Sequence, residues 1–241
     1  MKNVALRVLL FVVALPALAS CEASLDLIQV QPGCPDKPLR GPNEFAAAPA
    51  DNMIDDFEDG NVALPVVAGR DGTWVGSLGP TPAPGTTINN GDPSSECVAR
   101  GTGSGHFTSV ATVPYAASWT AVLRDQISMP RTFDASAYSG FSFWIARGDG
   151  ALPPFETPIG VTTADTAPAF LICDVCNDYY AIRKRIPLTK TWTRWVVKFD
   201  DLAQYGFGRP LAPLDKTRLV SIIIWPESQF DIWIDDLRFE P

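Results

Sequence analysis

Apolar and polar residues alternate along many short stretches of this chain, and helical periodicity is scarce. In the segment from Phe141 to Arg147, positions 141, 143 and 145 are apolar on one face of a strand. Ser142, Trp144 and Ala146 lie on the other face, and Arg147 closes the run with a charge. Thr193, Trp195, Val197 and Phe199 alternate in the same way against Arg194, Val196 and Lys198. The runs at 169–172 and 221–225 are apolar on both faces, the pattern of a central strand in a covered sheet. Strands are predicted at 53–57, 72–78, 104–111, 118–127, 138–147, 157–163, 168–174, 179–186, 193–200, 217–225 and 230–239. They are short, β-branched or aromatic, and bounded by Gly, Pro, Asp or Asn. Residues 79–95, GPTPAPGTTINNGDPSS, have no period and predict a surface loop. Strands of this number and length predict an all-β fold, a jelly-roll β-sandwich of two antiparallel sheets.

The first twenty residues stand apart from this pattern. Lys2 and Arg7 precede an apolar stretch, Val8 to Ala19, that is too short to span a bilayer. Small residues and Cys21 follow, and Leu18-Ala19-Ser20-Cys21 resembles the lipobox of bacterial lipoproteins. The expected organisation is a signal peptide at 1–20, a lipidated Cys21 with a Pro- and Ala-rich tether over 21–52, and a sandwich domain over 53–241. An ordinary secretory signal beside a cysteine is the alternative reading. Both imply export, and the lipid reading adds attachment to the cell envelope, at the outer membrane.

Removing residues 1–20 takes away two cations and moves the formal charge from −8 to −10. The three consecutive cations Arg183, Lys184 and Arg185 read as a solvated edge strand and no longer basic run exists, so nucleic acid is a poor partner for this acidic chain. Besides Cys21 the chain has Cys34, Cys97, Cys173 and Cys176, an even number suited to two disulfides in an exported protein. The close spacing of Cys173 and Cys176 favours a local bridge, which leaves Cys34 to pair with Cys97. Zinc at Cys173 and Cys176 is the alternative, but it requires about four ligands and the chain has a single histidine, His106.

Four segments occur in an order that resembles a known family: MIDDFEDGN from 53, YSGFSFWIAR from 138, WTRWVVKFDDLAQYGFG from 192 and FDIWIDDLRFEP from 230. Over roughly residues 53–240 they are similar to galactose-binding-like jelly rolls, nearest to family 11 carbohydrate-binding modules. Lipoproteins of myxobacteria and related bacteria share the layout. The resemblance implies a β-sandwich, a bound calcium ion and a glycan partner. In sandwiches of this type the first and last strands are neighbours, which would bring Asp55 to Asp59 towards Asp235 and Asp236. The resemblance makes Glu58 and Asp235 the first candidates as calcium ligands, with Asp56 and Asp236 next, since calcium takes six to eight oxygens. The alternative is a solvated acidic edge. Alternation allows only one of Asp235 and Asp236 to face inward unless a bulge intervenes.

Sugar binding requires aromatic platforms and planar polar groups. Trp74, Tyr179, Tyr180 and Trp225 are the candidate platforms, with Arg147, Asp178 and Arg183 as polar neighbours, on a concave sheet face that carries Tyr, Arg and Asp contacts in family 11 modules. Core packing is the competing role for each of them. Nothing isolates two carboxylates across a cleft as a glycosidase requires, there is no nucleophile elbow, and the single histidine, His106, reads as a surface or hydrogen-bonding residue rather than a base, so catalysis is not expected. A non-catalytic envelope scaffold that has lost sugar binding is the second reading, and a glycan-active enzyme the third.

Overall fold

A computed structural model describes residues 33–36, 50–78, 87–89, 91–109, 117–125, 131–153, 155–167, 180–182, 185–204, 213–226 and 229–241. Within these residues there is no α-helix. The strands are β1 (Met53–Asp55), β2 (Thr73–Leu78), β3 (Asp92–Ser94), β4 (Ser104–Ser109), β5 (Ala117–Val122), β6 (Gly140–Arg147) and β7 (Glu156–Thr157). They continue with β8 (Ile159–Thr163), β9 (Tyr180–Ile182), β10 (Ile186–Pro187), β11 (Thr193–Lys198), β12 (Leu202–Gln204), β13 (Leu219–Ile224) and β14 (Phe230–Glu240).

Two antiparallel sheets form the sandwich. The first runs β11-β6-β14-β4-β3, with β1 also on β14, and the second runs β12-β9-β8-β13-β5-β2. Strands β7 and β10 make a separate two-stranded ladder. The alternation read from the sequence decides the faces. Phe141, Phe143 and Ile145 on β6, Val197 on β11 and Ile232, Ile234 and Phe239 on β14 enter the core between the sheets. From the second sheet Trp119, Ala121, Val161, Ile222 and Ile224 meet them. Strand β13, apolar on both faces, is fully buried between β8 and β5.

Trp144 and Ala146 point outward from β6 and join Trp233 of β14 and Trp192 in a second apolar cluster on the outer face of the first sheet. The disulfide between Cys34 and Cys97 packs against it. Asp36 bridges to Thr191 beside the same cluster, so this short N-terminal piece lies against the tryptophans. The bridge between Cys34 and Cys97 is the one expected from the sequence; Cys21, Cys173 and Cys176 lie outside the described residues.

The loop expected over 79–95 is in part a strand. Asp92–Ser94 pairs with β4 at the sheet edge, the position where Pro93 leaves no donor unsatisfied in the ladder. The residues after Phe199 make a 3₁₀ turn through Asp201 and then the edge strand β12.

Candidate functional site

Strand β14 changes partner halfway along one edge. Phe230 to Ile234 pair with β4, and Leu237 and Arg238 pair with β1. Asp235 and Asp236 fall between the two ladders. On the other edge the register with β6 slips, because Asp235 faces Trp144 and Arg238 faces Ser142. This is a bulge, and Asp236 takes a φ of 56° to make it, a conformation that Asp tolerates better than most residues. The bulge resolves the problem of two adjacent carboxylates. Ile234 and Leu237 both remain in the core, while Asp235 and Asp236 both leave it and are nonetheless buried, at 1% and 5% exposure.

Both aspartates meet the loop between Cys97 and Ser104. Asp235 Oδ2 accepts the backbone N–H groups of Ala99 at 3.0 Å and Arg100 at 2.8 Å. Asp236 Oδ2 is paired with the Arg100 guanidinium at 2.9 Å. Glu58 holds the far end of the same loop. It accepts the Thr102 N–H at 2.8 Å, the Thr102 hydroxyl at 2.5 Å and the Gly103 N–H at 3.2 Å. Burial raises the Asp235 carboxyl to about 8, and the nearby charges of Asp236 and Glu58 push the same way against the two N–H donors. At Glu58 partial burial is outweighed by the Thr102 and Gly103 bonds and by the Arg100 charge, so its pKa is lowered.

The opening acidic segment is spent largely on turns. Asp55 accepts from the N–H of Phe57, Asp56 from Glu58, Asp59 from Asn61 and Asn61 from Ala63, each two residues on. Asp56, Glu58, Asp235 and Asp236 line one cavity of about 480 Å³ with Arg100 and Gly101. The sequence-derived candidates for metal binding are thus brought together. Their donor surroundings, however, are N–H groups and a guanidinium rather than a shared centre of oxygens. Among the described residues, no three His, Cys, Asp or Glu side chains are arranged to hold an ion. With both Glu58 oxygens and one oxygen each of Asp235 and Asp236 engaged, and a guanidinium among them, the arrangement does not fit calcium, which takes six to eight convergent oxygens.

The aromatic candidates separate. Trp74 faces inward from β2, 3% exposed, with its indole N–H on Asp55 Oδ2 at 2.7 Å. Trp225 is buried as well, 6% exposed. Neither offers a ring face to a sugar, which corrects the expected exposure of both. Burying an indole removes a large apolar area from water, and Trp74 is enclosed by Phe57 and Phe107, whose ring centroids lie 5.8 and 4.9 Å from its own. Arg147 is half-buried, and its guanidinium stacks 4.0 Å over the Phe155 ring. Tyr180 lies on β9; Asp178, Tyr179 and Arg183 fall outside the described residues.

A second cavity, of about 520 Å³, was not anticipated. It lies where the outward faces of β2 and β5 meet the preceding turn, and its lining includes Asp71, Thr73, Val75, Val122, Arg124 and Asp125. Because Trp74, Trp119 and Ala121 face the core, Thr73, Val75, Thr120 and Val122 must face out. Asp71 organises the polar end. It accepts from Arg124 at 3.2 Å, from Arg131 at 2.8 Å and from the Asp125 N–H at 3.0 Å, bonds that together lower its pKa against slight desolvation. The cleft therefore offers guanidinium donors, carboxylate acceptors and an apolar floor. Towards the middle of the same sheet the outer face is closed, with Thr162, Ser221 and Ile223 all buried and the Thr162 and Ser221 hydroxyls bonded to each other at 2.5 Å. The only sequence signal for this cleft was the alternation of β2 and β5; Arg124 and Asp71 reach it from turns.

No protein-family model and no curated protein matches the sequence. Similarity appears at the level of structure. The family 11 carbohydrate-binding module of a cellulosomal cellulase of Clostridium thermocellum superposes with a TM-score of 0.53 at 16% identity, covering 80% of this chain and 96% of that one. The same organism's family 11 module in complex with a β-1,3-1,4-mixed-linked tetrasaccharide gives 0.48 at 17% identity, over 80% and 97% of the two chains. Its family 30 module gives 0.44 at 17%, over 69% and 90%. The chain therefore has the β-sandwich fold of the family 11 carbohydrate-binding module it superposes on.

Proposed function

We propose that this chain is an exported, non-catalytic domain that binds neutral glycans through the cleft on the outer face of β2 and β5, and that lipid on Cys21 holds it to the cell envelope. The observation that carries this reading is the cleft itself: an open groove with a β-branched floor, ending in paired donors and acceptors that suit hydroxyl groups. Asp71 and Asp125 balance Arg124 and Arg131 in charge, so the site favours neutral over anionic sugars. The sandwich shared with the family 11 module supports the same class of ligand. The acidic cavity does not argue for catalysis, because its carboxylates already accept from loop N–H groups and Arg100.

One observation favours the scaffold reading. Among the described residues, the outward side chains of β2 and β5 include no aromatic ring. Affinity electrophoresis of the purified protein against soluble β-glucans, xylan and mannan separates the two. Retardation by a neutral polysaccharide is expected, and Val75→Asp, at a position already 41% exposed, should abolish it without lowering Tm. If no polysaccharide retards the wild type, the scaffold reading takes its place.

A further inference from the structure

We infer that Arg100 and the N–H groups of its loop are the resident counter-charge of the four-carboxylate cavity, standing where a sandwich of this kind would otherwise need a metal ion, so that the domain folds independently of divalent cations. The geometry is specific. Ala99, Arg100, Thr102 and Gly103 turn their N–H groups towards Asp235 and Glu58. Successive N–H dipoles of this kind present positive charge to an anion. The Arg100 guanidinium adds the one full charge, at 2.9 Å from Asp236, and its field reaches Glu58. Both Glu58 oxygens and Asp235 Oδ2 are engaged by loop donors, and a cation placed among the remaining carboxylate oxygens would be repelled by the guanidinium.

The loop can take this position because of what surrounds it. It enters at the point where β14 has left β4 and not yet met β1, so the edge there is open. One end is fixed by the disulfide at Cys97, and the Ser104 hydroxyl donates to the Cys97 carbonyl at 2.6 Å across the loop's base. Removing the Arg100 charge leaves the cavity, of about 480 Å³, with uncompensated carboxylates and room for an ion.

The test is thermal unfolding of the whole protein in calcium chloride or EDTA, for wild type, Arg100→Met and Arg100→Lys. Wild type should shift by less than about 1 °C in either additive. Arg100→Met should lose about 5 °C or more and recover part of it in calcium, while Arg100→Lys, which keeps the charge, should lose less. A wild type that is stabilised by calcium or destabilised by EDTA would overturn the inference. So would an Arg100→Met protein that matches wild type, or one that is weakened and ignores calcium. If Arg100→Met does not fold, the wild type and Arg100→Lys arms still decide.

Discussion

Asp55 Oδ2 accepts the indole N–H of Trp74 at 2.7 Å, and this bond crosses the interior from β1 of one sheet to β2 of the other. The other oxygen takes the Phe57 N–H at 2.8 Å. Burial raises this carboxyl to about 7 against both bonds, as it raises Asp235 to about 8. Each folded pKa lies above the unfolded value, so the folded state holds more protons. Stability from these groups is complete below about pH 4 and is lost progressively until pH has risen through 7 and 8. Glu58, Asp71, Asp231 and Glu240 act oppositely, being lowered, and lose their contribution below about pH 4.

The expected outcome is a stability maximum between about pH 4 and 5 and a decline towards pH 8 of about 1.4 kcal/mol per pH unit for each of the two groups, until its folded pKa is passed. Asp55→Asn should remove the smaller share of that decline, all of it below about pH 7, and leave the share of Asp235. It should also lower the plateau, because its NH₂ group must face an N–H donor. Calorimetry from pH 4.5 to 9 checks both, and an unchanged slope in the variant would refute the assignment.

Arg70 is a second buried group with a definite role. Its side chain is fully enclosed and lies over the rings of Phe133 and Phe239, 5.4 and 5.6 Å from their centres. Nη2 donates to the carbonyls of Asp51 and Met53, at 2.8 and 2.5 Å, and so fixes the chain entering β1. Lysine has one compact donor group and no planar face for the rings. Arg70→Lys should therefore cost about 2 kcal/mol and Arg70→Ala roughly 3 to 5 kcal/mol in urea unfolding. A loss below about 1 kcal/mol for the alanine variant would sink this account.

The sequence disclosed faces better than it disclosed turns. Alternation placed Phe141, Phe143 and Ile145 inside and Trp144 outside, as observed, because period-two patterns follow directly from strand geometry. The meeting of the two acidic segments was also legible, through the resemblance that made first and last strands neighbours. The bulge was not. It depends on a positive φ at Asp236 and on a change of partner along β14, neither of which leaves a mark on the apolar pattern. Trp74 was misplaced for a related reason: its hydrogen-bond partner, Asp55, is on the opposite sheet. The polar end of the cleft, Asp71, Arg124 and Asp125, comes from turn residues, where local sequence says least about direction.

The disulfide between Cys34 and Cys97 closes a separation of 63 residues and holds the loop that carries Arg100. A closure of that length stabilises a fold by about 4 kcal/mol through the entropy of the unfolded chain. Paired Cys34→Ser and Cys97→Ser replacements should lose most of that in urea unfolding. They should also increase the solvent access of the tryptophan cluster, read as stronger acrylamide quenching. Quenching unchanged from wild type would mean that the N-terminal piece stays seated without the bond.

Gly101 allows the loop's closest approach to be tested apart from its charge. It adopts a φ of +63°, and a Cβ there would lie 1.8 Å from Glu58 Oε1. Alanine would meet two penalties: the left-handed backbone, about 1 kcal/mol, and displacement of the carboxylate that accepts from Thr102 and Gly103. Gly60 supplies the control, since its φ is +70° and nothing lies within 4 Å of its Cβ position. Gly60→Ala should cost about 1 kcal/mol, whereas Gly101→Ala should cost roughly 2 to 4 kcal/mol. The difference between the two isolates the contact of the loop with Glu58 from the backbone term they share. Equal losses would show that this contact adds no stability, and the carboxylate would then have to be held chiefly by its charge interaction with Arg100.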